Sequence, residues 1–279
     1  MLHKCYWITL LLILEKTCIS QVVHSPVNIR YTELGTYSNN FLNAFSFTGN
    51  QAILSSLRKA SAGVYSEKRF FLNELNLYSL AVVAPSAIGG FGMQATYFGF
   101  SDYNESRLGI AYGKELGKTI ALGIQFNYNL IHIAGYGNAG TMVSEICTML
   151  HPAGKIHIGM HIYNPVGAKF GKNTGEKLAS VYKAGIGYES SQEVLMSIEI
   201  VKEENKPVNV NAGLQYVFAK QFFAGIGIAT ESTSPYGGIG FSWKNIRIDI
   251  SVSYHPQLGF TPGLLLLFGL KNKYGDDFN

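Results

Sequence analysis

Charge is what this 279-residue chain has least of, with Asp, Glu, Lys and Arg making up only 14% of its residues. With 17 Tyr and 17 Phe alongside, that scarcity excludes a disordered chain, which is rich in charge and poor in aromatics. Lys and Arg number 22 against 18 Asp and Glu, an excess too small and too scattered for a nucleic-acid-binding surface. Cysteine is nearly absent too. Of Cys5, Cys18 and Cys147, the first two fall in a leader expected to be removed, and one remaining thiol makes neither a disulfide nor a cysteine zinc cluster. Cys147 then reads as a structural residue of a strand. Long apolar runs are missing as well: residues 264–268 form the longest near the C-terminus, far below the about 20 needed for a spanning helix. In a membrane such a chain could only be a closed barrel, because every backbone polar group must be paired within lipid.

Catalytic motifs are equally scarce. There is no G-x-S-x-G elbow, no His-Glu-x-x-His and no phosphate-binding loop, and Gly225-Ile226-Gly227 lacks the third glycine and following helix of a dinucleotide site. The expectation is a protein without enzymatic activity, cofactor or metal. His157 and His161 share one parity, but at about 3.3 Å per residue they lie roughly 13 Å apart along a strand, too far to share one ion. They read as lumen lining.

The N-terminus has an export layout: Lys4, an apolar stretch over 6–14, then Cys18-Ile19-Ser20 before Gln21. It predicts a signal peptide over 1–20 cleaved near Ser20/Gln21. Glu15-Lys16 departs from the pattern and keeps an N-terminal strand or anchor helix as the alternative. The same pair speaks against lipid attachment at Cys18.

What the chain has in abundance is alternation. Ile246, Ile248, Ile250, Val252 and Tyr254 take one parity; Arg247, Asp249, Ser251, Ser253 and His255 take the other. Successive side chains of a strand point to opposite faces, so this is a ribbon with one apolar and one wet side. Similar segments fill the chain at 60–68, 74–84, 87–100, 107–116, 119–132, 141–150, 155–164, 178–189, 193–202, 208–218, 222–229, 236–244, 246–255 and 261–270, separated by turn residues. About 14 strands predict an all-β chain: a closed antiparallel transmembrane β-barrel over 58–272. Residues 21–57 lack sustained alternation and read as an N-terminal segment and plug, with short helical turns broken at Gly49; residues 273–279 form a polar tail. Short turns at Gly117-Lys118, 219–221 and Asn245 alternate with longer loops such as 165–177. The polar parity is often glycine, which leaves lumen space. Tyr112, Tyr128, Tyr163, Tyr188, Tyr216, Phe218 and Tyr254 sit toward strand ends, as interfacial girdles require. The competing architecture is a soluble sandwich or a lipocalin-like ligand binder.

Arg107, Glu145, Lys183, Glu199, Arg247 and Asp249 fall on polar or mixed parities. In the lipid band an Arg or Lys costs about 2–4 kcal/mol near the midplane, so these groups should face the lumen, either filling it with salt bridges or lining a solute path.

Residues 42–54 read Leu42-Asn43-Ala44-Phe45-Ser46-Phe47-Thr48-Gly49-Asn50-Gln51-Ala52-Ile53-Leu54. They resemble the N-terminal signature of the FadL-related outer-membrane barrels of Bacteroidota, the PorV/PorQ group, in which an acidic residue, Ala and Ser precede Asn-Pro-Ala-x-Leu. Ala44, Ser46, Asn50, Ala52 and Leu54 match; Asn43 and Gln51 replace the acid and the proline. An early strand with Glu67 and Phe70, the segment Leu108-Gly109-Ile110-Ala111-Tyr112, and Ile162-Tyr163-Asn164-Pro165 are also similar. The resemblance implies a 14-stranded barrel in the outer membrane of a Gram-negative bacterium, in contact with its lipid. Asn43, Ala44, Phe45, Ser46, Asn50, Ala52 and Leu54 would belong to the plug. It implies one of two functions: an accessory in envelope protein secretion of the type IX kind or in outer-membrane complex assembly, with envelope secretion components as partners; or a channel for a hydrophobic or small solute. The chain is shorter than typical members of the superfamily, so reduced extracellular loops are expected.

Overall fold

The structure, a computed structural model, describes residues 30–170, 177–231 and 234–269. The expected leader over 1–20 and tail over 273–279 lie outside them. Fourteen strands form the barrel: β1 Ser61–Lys68, β2 Asn76–Ser86, β3 Gly89–Gly99, β4 Tyr103–Glu115, β5 Ile120–Ile133, β6 Gly137–Ala153, β7 Ile156–Tyr163, β8 Val181–Glu189, β9 Val194–Glu203, β10 Val208–Phe218, β11 Phe222–Ala229, β12 Ser234–Trp243, β13 Ile246–His255 and β14 Gly259–Gly269. Each pairs antiparallel with its neighbours in chain order. Closure comes from β1 on β14, in register from Ser61↔Gly269 to Glu67↔Gly263. Among the described residues no helix is long and apolar enough to cross a membrane.

The alternation sorts every strand into an inner and an outer face. In β5, Ile120, Leu122, Ile124, Phe126 and Tyr128 are exposed, whereas Ala121, Gln125, Asn127 and Asn129 are buried. A belt of exposed Ile, Leu and Met, including Ile110, Ile198, Ile226, Ile239 and Ile250, runs round the outside. In water such a surface would be untenable; facing acyl chains it is the normal exterior of a transmembrane barrel. Aromatic girdles border it. Tyr188, Tyr216, Phe218, Phe222, Phe241 and Trp243 stand at the end of the short turns, and Tyr78, Tyr97, Tyr128, Tyr182, Tyr254 and Phe260 at the other. Tyr163 is a correction to the expected girdle: it is 2% exposed and faces inward, because it shares the parity of His157 and His161.

Several boundaries also move. The β2–β3 turn falls at Ala87-Ile88, so Pro85 and Ser86 remain in strand β2. β6 runs 17 residues, well past the expected 141–150. Phe70 lies in the turn after β1 with φ 54°, not in the strand. At the end opposite the short turns the connections are brief too, except the one between β7 and β8. There Asn164, itself at φ 55°, accepts from the Ala168 amide and donates to the Leu178 carbonyl, and Phe170 and Leu178 turn into the barrel mouth onto Ile131, Val143 and Val201.

Ile239 is 69% exposed near the middle of β12. Ile239→Arg is expected to destabilise the barrel in lipid vesicles by about 2–4 kcal/mol, while Ile246→Arg at a strand end costs about 0–1 kcal/mol. Denaturant titration of the refolded protein in vesicles measures both.

Candidate functional site: the plugged lumen

Among the described residues, the N-terminal segment fills the lumen as four helical turns, Arg30–Glu33, Leu34–Tyr37, Ser46–Gly49 and Gln51–Ser56. The break expected at Gly49 falls one residue later: Gly49 ends the third turn, and Asn50 is extended and caps the fourth by accepting from the Ala52 amide. The first two turns carried no sequence signal, because four-residue helices are too short for periodicity to register. Asn43 and Ser46 fold the entry to the third turn, with Asn43 Oδ1 accepting from the Phe45 amide at 2.7 Å and Ser46 Oγ from the Asn43 amide at 2.9 Å. Phe45, Phe47, Ala44, Ala52, Ile53 and Leu54 pack with Leu77, Ala81, Val83, Leu265 and Leu267 of the wall into one buried cluster.

Room for these residues comes from glycines on the inner face. A Cβ at Gly159, Gly185 or Gly187 would collide with Tyr37, at Gly213 with Leu34, at Gly123 with Ala52, and at Gly90 or Gly113 with Leu54 and its neighbours. The small residues that promised an empty lumen are therefore a mould for the plug.

Polar anchors complete the fit, and most end on a wall carboxylate. Tyr31 Oη donates to Asp249 at 3.1 Å, Tyr37 Oη to Glu199 at 2.6 Å and Gln51 Nε2 to Glu145 at 2.8 Å. Glu189 accepts from Ser38 Oγ at 2.7 Å and from the amides of Asn39 at 2.7 Å and Asn40 at 2.9 Å. Burial first, and the facing carboxylate second, push the Tyr31 and Tyr37 phenols up, so each keeps its proton and donates. An ion pair runs the other way: Lys183 of the wall stands 3.5 Å from Glu33 of the plug. Each of these carboxylates also has partners within the wall. Glu145 accepts from Asn127 at 2.6 Å and meets His161 Nε2 at 2.7 Å; Glu199 accepts from Asn211 at 3.0 Å; Asp249 holds Arg247 through two bonds of 2.7 and 2.6 Å. Arg247 lies 3.6 Å over the Phe223 ring.

Of the residues singled out from the sequence, Glu145, Lys183, Glu199 and Asp249 thus meet the plug, and Arg247 acts through Asp249. Arg107 stands apart: it donates to Asn129 at 3.0 Å and lies 5.5 Å from the Tyr163 ring. Asn50 Nδ2 reaches the Thr148 and Met160 carbonyls, and Cys147 donates its thiol proton to Gln51 Oε1. His157, fully buried, bonds His151 at 2.7 Å and stands 3.5 Å from Glu189. Among the described residues no three His, Cys, Asp or Glu side chains could hold a metal ion. Tyr31, Tyr37 and Glu189 were not singled out beforehand, although strand parity sets Glu189 on an inner face, and Gln51 was noted only as the residue in place of the signature's proline.

Tyr37→Phe keeps the ring against Gly159 and Gly185 but removes one donor from Glu199. A charge-assisted bond contributes about 1.5–3 kcal/mol, so hydrogen-exchange protection of the plug amides should fall roughly ten- to hundredfold. Unchanged protection would show that the bond does not hold the plug.

No family model matches the chain, and no curated protein matches it either. Solved structures do resemble it. The CymD monoaromatic hydrocarbon channel superposes with a TM-score of 0.62 at 11% identity, over 83% of this chain and 94% of that one. A FadL homologue of Pseudomonas aeruginosa gives 0.55 at 8% identity over 86% and 97%, and the toluene transporter TodX of Pseudomonas putida 0.53 at 9% over 80% and 91%. At such identities the shared property is the fold, a closed outer-membrane β-barrel, which in this chain has 14 strands.

Proposed function

We propose that this chain is a FadL-like outer-membrane channel for a hydrophobic small molecule, gated by its N-terminal plug. The observation that carries the reading is the mould of inner-face glycines, which shapes the lumen around a segment that, among the described residues, is held by apolar contact and by bonds with a side chain as at least one partner. Such contacts can be broken without breaking the sheet, so the plug can leave while the wall stays closed. The fold shared with hydrocarbon channels favours an apolar solute. No motif in the chain points to catalysis. An accessory role in secretion rests on the resemblance of residues 42–54 and a few shorter segments, and the brief connections opposite the short turns offer cargo little surface.

Two variants test the gate. Deleting residues 39–57 removes most of the plug. Gly187→Val places a strand-compatible side chain where the Tyr37 carbonyl sits and should expel the plug from a folded barrel. Both should open conductance in planar bilayers and speed uptake of a labelled monoaromatic hydrocarbon into cells expressing the protein. Ala184→Val, on the outer face of the same strand, should stay as closed as the intact chain. Silence of both plug variants, with heat-modifiable gel mobility proving them folded, would overturn the gate.

A further inference from the structure

The outer wall of β9 to β14 carries a depression that the channel reading does not use. It has a volume of about 790 Å³ and an almost wholly apolar lining. Its floor is set by small residues on the lipid face, Ala212 and Gly237, and its sides by longer ones such as Ile198, Leu214, Ile226 and Val252. Below it, toward the short-turn rim, Tyr216, Phe218, Phe222 and Phe241 form a ladder of rings with successive centroids 6.1, 5.0 and 5.1 Å apart. At the foot of the ladder two hairpin turns lie side by side, joined by the Ser242 amide donating to the Gln221 carbonyl at 2.7 Å.

Each of these turns presents an exposed lysine, Lys220 and Lys244, in left-handed backbone at φ 60° and 54°. Glycine or asparagine would occupy such positions with less strain, so the choice of lysine calls for a reason beyond the turn. Neither makes a salt bridge within the described residues. Lys244 Nζ stands 5.0 Å from the ring centroid of Trp243, which is 63% exposed in the girdle. The same rim carries Arg58, Lys59, Lys114, Lys118 and Lys155 against Glu115 and Glu193. The opposite rim is mixed, with Asp102, Glu203, Glu204 and Glu231 among Lys68, Arg69, Lys202 and Lys206.

We propose that Lys220 and Lys244, with the aromatic ladder and the depression above it, form a binding site for an anionic phospholipid. The headgroup phosphate sits between the two ammonium groups, Trp243 lies at the glycerol level, and an acyl chain runs along Phe222 and Phe241 toward the floor at Ala212 and Gly237. Short turns face the periplasm in barrels of this class, so the site opens to the leaflet made of phospholipid. Charge picks the partner: two unpaired cations at the rim attract an anionic headgroup and give a zwitterionic one no comparable gain. The inference rests on the placement in a membrane and not on the plug acting as a gate.

The test uses the full chain in vesicles of phosphatidylcholine with a minor share of phosphatidylglycerol, reading the lipid retained on extraction by native mass spectrometry. Phosphatidylglycerol should be enriched on the order of tenfold over its bulk share. Lys220→Gln with Lys244→Gln should abolish the enrichment, and Gly237→Leu, which fills the floor, should reduce it. Lys118→Gln with Lys155→Gln should leave it intact. Equal retention of both lipids, enrichment that survives Lys220→Gln with Lys244→Gln, equal loss from either lysine pair, or a detergent-stable dimer burying the ladder in place of lipid would each overturn the site. Conductance enters none of these readouts, so failure of the gate and failure of the lipid site are told apart.

Discussion

A sheet edge cannot stand in hydrocarbon. Each unpaired amide or carbonyl there would cost several kcal/mol, so the pairing of β1 with β14 is the condition on which everything else rests. Once the ring is closed the backbone has no further demands, and the side chains divide into two solvents by parity alone. Isoleucine and leucine go to the acyl chains; asparagine, glutamine and the buried acids go to the interior. The low charge of the chain follows, because a lumen occupied by a plug has room for only a few ions and the exterior tolerates none at mid-depth.

The plug brings a demand of its own. Seated in the ring, it takes Glu145 and Asp249 out of water and leaves Glu199 half-buried, and acids so placed need donors. Plug and wall supply them jointly: Gln51 and Asn127 for Glu145, Tyr37 and Asn211 for Glu199, Tyr31 and Arg247 for Asp249. Removing one partner of a buried charge costs far more than the pair contributes when whole, so these clusters fix the plug in a single seating. The apolar half of the plug needs no such specificity and uses Phe45, Phe47 and Leu54 as filler against Leu77 and Leu265.

The fold was legible in the sequence because barrel strands are read by a two-residue period that nothing else in the chain imitates. β13 and β11 fall on the expected residues, while β6 outruns its expectation because Gly137 to Gly140 carry little periodic signal. The interior was half legible. Parity places Glu199 or Asp249 on an inner face, but only three-dimensional register brings Tyr37 from 162 positions away onto Glu199. Tyr163 shows the opposite failure: an aromatic at a strand end reads as girdle until its neighbours His157 and His161 are known to be buried. The glycines were seen, but their meaning reversed, since emptiness and a tailored fit leave the same trace in a sequence.

That tailored fit ties two distant stretches of the chain to one history. The bulk of Tyr37 exists where Gly159, Gly185 and Gly187 have no side chain, and the bulk of Leu34 where Gly213 has none. A larger residue on either side needs a smaller one on the other, so drift at these positions must proceed by compensated exchanges. The N-terminal segment is thereby matched to the wall position by position, although the two stretches lie far apart in sequence.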